Sequence, residues 1–403
     1  MAANAEHSLA FDSAALATAD SPPVALARSR QIAIDALRGI VMLFMLLDHV
    51  RETFYLHAQV SDPMDVLTVG PDLFVGRLFS HLCAPAFVAL TGLSAYLFGQ
   101  THSKRETSLF LLKRGLFLIV LELTIVGFAW TAQFPPQTFW LQVIWAIGIS
   151  MVALAGLLHL PRAAQLAVGL LIVAGHNLLD PIVLTADSPW FAPWAIVHQR
   201  ALIDLGGGLV AKTTYPVLPW IGVILLGYAV GPWFGRATEP AQRSRRMVLL
   251  GVSMLALFVL LRTLNVYGDK PWIATGDALR TVMSFVNLTK YPPSLLFLLA
   301  TLGIGSLLLV LFERHQAART VERIAILGGA PMYFYLLHLY VLKALYLVAV
   351  AIWGTNHGAY LGFDTYTPVW LVALLLVVPL YLPSRWFAQL KQRRKDLAWL
   401  RYF

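Results

Sequence analysis

The chain is poor in charged residues and in cysteine. Charged side chains make up 13% of its 403 residues, whereas hydrophobic side chains make up 58%. Soluble domains carry about 25% charged residues, so this composition argues against a soluble protein and predicts one surrounded by membrane lipid. The single cysteine, Cys83, excludes an intrachain disulfide and a cysteine-based metal site.

Several motifs of soluble enzymes are also missing. The sequence has no P-loop, no GxGxxG, no HExxH and no GxSxG, and so lacks the usual sites for nucleotides, protease zinc and a serine nucleophile. Three histidines in apolar segments, His49, His81 and His338, do not have the spacing of a metal site. We therefore expect no metal cofactor.

What the chain does contain is a series of apolar segments of membrane-spanning length. A spanning helix needs about 20 predominantly apolar residues. The ten segments lie near residues 32–55, 73–98, 109–130, 139–160, 163–180, 216–234, 246–264, 292–312, 325–352 and 368–388. The sequence therefore predicts an all-α, polytopic bundle of about ten transmembrane helices within residues 31–390.

The basic residues predict that both termini are cytosolic. Most of the 30 Lys and Arg fall in the amino-terminal segment, in alternate turns between spans and in a basic tail over 391–403, and such residues mark the cytosolic side. This bias explains the net charge of +9 without a nucleic-acid partner. Residues 1–30 are predicted to be a disordered cytosolic leader. We expect a multi-pass membrane protein.

The first predicted span carries Asp35, Arg38 and His49 on one face. At 100° per residue, Arg38 and His49 differ by about 20° in azimuth, and Asp35 lies about 40° to the other side of His49. The rise from Arg38 to His49 is roughly 16 Å, about half of a ~30 Å hydrocarbon core. Ionisable residues at such depth usually mark a functional site. Asp35 can also be a simple ion partner of Arg38, and Asp48 is placed to reach a neighbouring helix.

Further candidates lie toward the predicted outer surface. His57 follows the first span, either as a loop histidine or as part of a site. Arg77 and His81 are four residues apart in the second span and so share a face. An Arg at the outer end of a span is expected to meet a carboxylate or a substrate, and Pro85 is expected to kink this helix.

Two later spans begin alike, at Lys212-Thr-Thr-Tyr215-Pro216 and at Lys290-Tyr291-Pro292. These stretches can be Pro-initiated helices with interfacial Tyr anchors. They can also bring two positive helix ends and two lysines around a polar ligand on the outer side. In the ninth span, His338 follows Tyr335 by three residues and can face His49.

Together these segments resemble the heparan-α-glucosaminide N-acetyltransferase-like family of polytopic membrane acyltransferases, especially its bacterial members. The matching pieces occur in one order along most of the chain: Asp35-Ala-Leu-Arg38-Gly, Asp48-His49, Arg77-Leu-Phe-Ser-His81-Leu-Cys-Ala-Pro85, Tyr215-Pro216-Val-Leu-Pro219-Trp220, Lys290-Tyr291-Pro292-Pro293-Ser294 and Pro331-Met-Tyr-Phe-Tyr335-Leu-Leu-His338. The spacing of Arg38 and His49 is also similar to the Arg/His pair of membrane O-acyltransferases that modify surface polysaccharides.

The resemblance implies a protein of the bacterial inner membrane. It also implies transfer of an acyl group, in the simplest case acetyl, from cytosolic acyl-CoA to a periplasmic sugar or glycan-like acceptor such as an amino sugar. His49 would be the base or the nucleophile, with Asp35 orienting Arg38. His57 is a second catalytic candidate, because it lies in the region that matches a lumenal histidine of the animal enzyme. The expected donor-binding residues are Arg38, Arg105, Lys113 and Arg114. The expected acceptor-binding residues are Arg77, His81, Lys212, Tyr215, Lys290, Tyr291 and His338.

Two other classes of function fit the same residues. In a proton-coupled secondary transporter, His49, His81 and His338 would relay protons between broken helices. No internal repeat supports this alternative. A structural subunit would leave the intramembrane ionisable residues without a role. The oligomeric state is left open between a monomer and a homodimer.

Overall fold

The computed structural model describes residues 22–394 and 396–402, which form a mostly helical bundle with one small sheet. The longer helices are α1 (Pro22–Phe54), α2 (Pro71–Ser80), α3 (Cys83–Gly99), α4 (Lys104–Leu121), α5 (Gly127–Thr131), α6 (Val143–Leu157), α7 (Arg162–Gly175), α8 (Phe191–Val197), α9 (Leu218–Ala229), α10 (Pro240–Leu264), α11 (Ala278–Val286), α12 (Leu295–Arg314), α13 (Arg319–Gly328), α14 (Pro331–Trp353) and α15 (Thr367–Arg393). Short 3₁₀ turns cover His176–Leu179, Gly231–Phe234 and Ala398–Tyr402. Of the predicted leader, residues 1–21 lie outside the described residues, and α1 begins within the rest of it.

Each of the ten predicted spans overlaps one or more of these helices. Within the described part of the chain, six helical segments are long and apolar enough to cross a membrane: Pro71–Gly99, Arg162–Leu179, Pro240–Leu264, Leu295–Arg314, Pro331–Trp353 and Thr367–Arg393. Helices α6 and α9 are apolar but shorter. The protein is therefore a multi-pass membrane protein. The count of ten crossings and the cytosolic position of both termini stay predictions.

Three predicted spans are each divided between two of these helices. The second span breaks at His81 and Leu82, between α2 and α3. Pro85 has no N–H to bond the carbonyl of His81, so the interruption lies one turn before the proline. The ninth span breaks between α13 and α14, where Pro331 occupies the first turn of the new helix. A π-helical turn over Glu122–Val126 also separates α4 from α5.

The expectation that Lys212 and Lys290 lie at matching helix starts is wrong. Lys212 lies on strand β3 (Leu209–Thr213), which pairs in parallel with β1 (Thr138–Leu141) and antiparallel with β2 (Leu202–Gly206). Lys290 lies before α12, which is capped by the Ser294 hydroxyl accepting the N–H of Phe297. The all-α prediction omits this sheet, because strands of four or five residues are too short for a clear periodicity.

Paired glycines let several helices cross in close contact. A Cβ on Gly39 of α1 would lie 2.0 Å from the carbonyl oxygen of Ile324 in α13, and one on Gly328 would lie 1.8 Å from that of Asp35. The crossing of α3 and α9 is built in the same way from Gly92 and Gly227. Small residues at such crossings let backbones pack directly, as in membrane helix pairs. The α1–α13 crossing fixes the backbone next to Arg38.

Candidate functional site

A cavity of about 340 Å³ lies beside α1 and is lined by five of the residues that the sequence predicted for a site: Arg38, His49, Arg114, Tyr215 and Lys290. Its walls come from α1, α3, α4, α6, α14, the Gly328–Gly329 turn and the end of α15. The polar lining residues are Arg38, Asp48, His49, Ser80, Thr91, Ser94, Arg114, Tyr215, Lys290, Tyr335 and Lys391. Apolar lining residues include Met45, Phe87, Phe98, Phe110, Leu118, Ile147 and Met151. Arg38 and His49 of the stripe predicted on α1 therefore face this space, whereas Asp35 is not among the described residues that line it.

The cavity has a basic end around Arg38. The Arg38 guanidinium donates to Asp35 Oδ1 at 2.9 Å and to Ser94 Oγ of α3 at 2.5 Å, which confirms the predicted ion pair. Arg114 and Lys391 line the same end. Arg114 Nε is buried and has no hydrogen-bond partner within the described residues. Arg38, Arg114 and Lys391 thus share this end with one carboxylate, that of Asp35. The resulting net positive charge suits a polyanionic ligand.

At the other end His49 pairs with His338, as the sequence allowed. His49 Nδ1 lies 2.6 Å from His338 Nε2, and His338 Nδ1 lies 2.7 Å from the carbonyl oxygen of Phe334. A carbonyl only accepts, so His338 Nδ1 carries the hydrogen and its Nε2 accepts one from His49 Nδ1. In this neutral tautomer, His49 Nε2 keeps its lone pair. His49 is only partly buried and lines the cavity.

Aromatic rings surround the histidine pair. The His49 ring lies 5.0 Å from Trp130 and 6.0 Å from Tyr335, measured between ring centroids. Trp130 belongs to α5, which follows the π-helical turn that begins at Glu122. Glu122 is 1% exposed and accepts the N–H of Trp145. Sequence reasoning missed Trp130 and Glu122. The acidic residue within the third apolar segment was the available signal for Glu122.

Next to His49, Asp48 is the centre of a buried charge network. Its carboxylate accepts from Arg51 Nε at 3.1 Å and from Arg77 at 3.1 Å, and it lies 3.8 Å from Lys290 Nζ. Arg51 and Arg77 also pair with Glu52. Arg77 therefore meets a carboxylate, as predicted. Three cations face two carboxylates here, so the network keeps one excess positive charge close to the cavity wall.

Tyr215 and Lys290 belong to the cavity lining, and Tyr291 adjoins it. The hydroxyls of Tyr215 and Tyr291 lie 3.3 Å apart. Asp62 accepts the backbone N–H groups of Lys290 and Tyr291 at 3.2 and 2.8 Å, which holds this turn in place. Burial raises the pKa of Asp62, although these hydrogen bonds oppose the effect. The structure thus brings the acceptor-site candidate Tyr215 together with Lys290 and Tyr291, which lie about 75 residues further along the chain.

Other predicted residues do not contribute to the lining among the described residues. The His57 ring stacks on His357 with centroids 3.7 Å apart, in the segment after α1. Burial and the neighbouring His357 lower the pKa of His57. His81 is buried and packs edge-on against Phe297 at 5.2 Å. The structure separates both histidines from the cavity surface that His49 lines.

The remaining basic candidates are also placed elsewhere. Lys212 lies over the ring of Trp140 at 4.7 Å, within the small sheet. Arg105 and Lys113 are exposed on α4 and are not part of the cavity lining in the described chain. Lys391, which was predicted only as part of a basic tail, lines the cavity instead. Its position depends on α15 folding back beside α1 and α13, which no local sequence pattern shows.

The fold and the site define an integral membrane protein with a polar cavity inside its helical bundle. A family profile described as "Heparan-alpha-glucosaminide N-acetyltransferase, catalytic" matches residues 30–267, more than half of the chain. The chain therefore belongs to the heparan-α-glucosaminide N-acetyltransferase family, which implies N-acetyltransferase activity at a membrane. A search among curated proteins finds no match. The match includes Arg38, Asp48 and His49 and ends before Lys290 and His338.

Proposed function

We propose that the protein moves an acetyl or other acyl group from acyl-CoA on the cytosolic side to an amine or hydroxyl of a sugar-like acceptor on the periplasmic side of a bacterial inner membrane. The observation that carries the proposal is one cavity with Arg38 and Arg114 at one end and His49 at the other. Family membership supports the reaction class.

The basic end has the chemistry that CoA phosphates require. Guanidinium groups match phosphate oxygens in geometry and charge. Arg38 is already oriented by Asp35 and Ser94, whereas Arg114 Nε is buried without a partner among the described residues and is available for a ligand. The apolar stretch that includes Phe98 and Met151 would accommodate the less polar arm of the donor. Its acyl end would then point toward His49.

At the reacting end, His49 Nε2 is the proposed general base. The nitrogen or oxygen of the acceptor attacks the acyl carbon of acyl-CoA and loses a proton, while the thioester C–S bond breaks and CoA leaves as a thiolate that takes up a proton. His49 Nε2 has the free lone pair for the acceptor's proton, because its Nδ1–H is already bonded to His338. The lone pair of His338 Nε2 accepts this hydrogen bond and stabilises the imidazolium that forms on His49, in the position that the Asp occupies in a Ser-His-Asp triad.

The Asp48 network supplies charge that is fixed before the reaction. Lys290 is 3% exposed overall, lines the cavity and is held by Asp48 and Ser80, with Nζ–O distances of 3.8 and 3.5 Å. A cation held in place can stabilise negative charge that develops on the acyl oxygen without costly reorganisation. Tyr215 adds a hydroxyl to the same wall. We assign Lys290 and Tyr215 to the acyl and acceptor groups.

The direct test uses purified protein that is reconstituted in liposomes in a single orientation. Acetyl-CoA is added on the side of the protein's termini, and an amino-sugar oligosaccharide is enclosed on the other. We expect acetylated sugar inside the liposomes and free CoA outside them. We expect neither product with His49→Ala. Unmodified sugar that leaves the liposome without any donor would instead support the transporter alternative.

A further inference from the structure

A second cluster of histidines lies away from the cavity, at the end of α7. His176 opens the 3₁₀ turn that follows α7, and Asp180 comes directly after that turn. His198 is the C-terminal cap of the short helix α8. The cluster thus joins two segments that are separate in sequence, and the proposed acyl transfer does not use it.

The three side chains have the spacing of a metal site. One ligand atom from each of them lies within 4.8 Å of the others. His198 Nε2 is 3.0 Å from Asp180 Oδ1, and the two imidazole centroids are 5.7 Å apart. Ligand atoms around a tetrahedral zinc ion are about 3.4 Å apart, given bonds of about 2.1 Å. Small shifts of the side chains would therefore complete such a site.

Several ring nitrogens of this cluster are buried and lack hydrogen-bond partners among the described residues. His176 is 2% exposed, and neither Nδ1 nor Nε2 has a hydrogen-bond partner within the described residues. His198 is 3% exposed, and its Nδ1 also has no partner in that part of the chain. Buried polar atoms of native proteins are almost always satisfied, so this cluster calls for a bound group. Two imidazoles and a carboxylate are typical ligands of a divalent transition metal.

A second shell already orients the carboxylate. Asn177 donates to Asp180 Oδ2 at 2.9 Å, and its own carbonyl oxygen accepts the N–H of Leu295 at 2.9 Å at the start of α12. Such outer hydrogen bonds fix the ligands of metal sites. The Asp180 side chain is 48% exposed, so a fourth position is open to water.

We propose that His176, Asp180 and His198 bind one divalent transition-metal ion, with zinc the best match to this ligand set. The ion would tie the segment that contains α8 to the end of α7. Arg200 lies two residues beyond His198, and its guanidinium carbon is 5.0 Å from the centroid of the Tyr291 ring. The metal would thereby also hold a side chain that covers the turn at the outer end of the cavity.

The test is the zinc content of the full-length protein after purification in detergent. The protein is stripped with a chelator, reloaded with Zn²⁺ and separated from free ion before elemental analysis. About one equivalent is expected for the wild type, since the three residues form one site. His176→Ala and His198→Ala should lose it, whereas the exposed His159→Ala and the cavity variant His49→Ala should keep it.

A second measurement, the absorption spectrum with Co²⁺, tests the site even if the His variants fail to fold. Cobalt replaces zinc in such sites and, when four-coordinate, absorbs visible light far more strongly than the hydrated ion. The wild type should show this absorption, and Asn177→Ala should weaken metal affinity about 10- to 100-fold through the lost second shell. The proposal is overturned by a hydrated-ion spectrum, or by equal zinc in the wild type and both His variants.

Discussion

His49 of α1 and His338 of α14 share a hydrogen bond of 2.6 Å between Nδ1 and Nε2. Because His338 in turn donates to the carbonyl of Phe334, the bond selects one tautomer of His49. The free lone pair on His49 Nε2 is therefore set by a residue from another helix. In the proposed mechanism, His338 is a positioning residue and His49 is the group that contacts the acceptor.

Replacing the base should reduce turnover and leave donor binding intact. His49→Ala is expected to lower the rate of acyl transfer by about 10²- to 10⁴-fold, the usual contribution of a general base. Acetyl-CoA affinity should stay within about twofold, because the phosphates bind at the other end of the cavity. Turnover and calorimetric binding are measured on the same preparations, with the exposed His315→Ala as control. Full turnover in His49→Ala would remove His49 from the mechanism.

Replacing His338 tests the tautomer argument. His338→Ala should lower the turnover rate by about 10²-fold or more, since the imidazole of His49 loses its orientation. His338→Gln should recover part of that loss, because its side-chain oxygen can accept the His49 N–H. The pH–rate profile should shift in His338→Ala and return toward the wild type in His338→Gln. Identical profiles in all three proteins would indicate a purely structural role.

The outer histidine offers a contrast. His57 stacks on His357 and is absent from the cavity lining in the described chain. His57→Ala is therefore expected to retain acyl transfer within about threefold, far less than the effect of removing a general base. If this variant alone abolishes turnover, while its donor binding and stability are normal, the catalytic centre lies nearer the outer face than proposed.

The network around Asp48 should be sensitive to loss of its carboxylate. Asp48→Asn leaves the buried cations Arg51, Arg77 and Lys290 with too few anions. Breaking a buried ion pair in this way lowers the free energy of unfolding by about 3–5 kcal/mol. Thermal unfolding in detergent should show a clearly lower Tm, whereas the exposed Asp187→Asn serves as a neutral control. An unchanged Tm in Asp48→Asn would show that solvent or another anion balances these cations.

The α1–α13 crossing should not tolerate a side chain. Gly39→Ala places a methyl group 2.0 Å from the Ile324 carbonyl oxygen, so the helices must separate at a cost of about 1–3 kcal/mol. Arg38 directly precedes Gly39, so we expect acetyl-CoA binding to weaken as the protein loses stability. Gly156→Ala in α6 is the matched control, because its new methyl group meets no atom within 4 Å. Equal Tm and binding in both variants would contradict the close contact.

Local sequence patterns predicted one face of the site well. The azimuths of Asp35, Arg38 and His49 follow from helical periodicity alone, and the structure places Arg38 and His49 along one cavity. The ten apolar segments are all helical at least in part. These features depend on residues that are near one another in the chain, which is why periodicity is sufficient to find them.

From the sequence alone, contacts between residues in distant segments could be proposed only as alternatives. Nothing local fixes the contact of His49 with His338, or the choice of Asp48 as the carboxylate for Arg77 and Lys290. Lys391 reaches the basic end only because α15 packs beside α1, and Arg105 faces outward although Arg114 faces the cavity. The sequence does not predict the cluster of His176 and His198, because its members come from two segments that meet through tertiary packing.

A donor site in this cavity is tested by calorimetric binding of acetyl-CoA to the detergent-purified protein. It compares the wild type with Arg38→Ala, Arg114→Ala and Arg245→Ala, where Arg245 is an exposed arginine outside the cavity lining. We predict saturable binding that weakens about tenfold or more in the two cavity variants, equal to ~1.4 kcal/mol, and is unchanged in Arg245→Ala. Absence of binding by acetyl-CoA and longer acyl-CoAs, or equal weakening in all three variants, would contradict a donor site in this cavity.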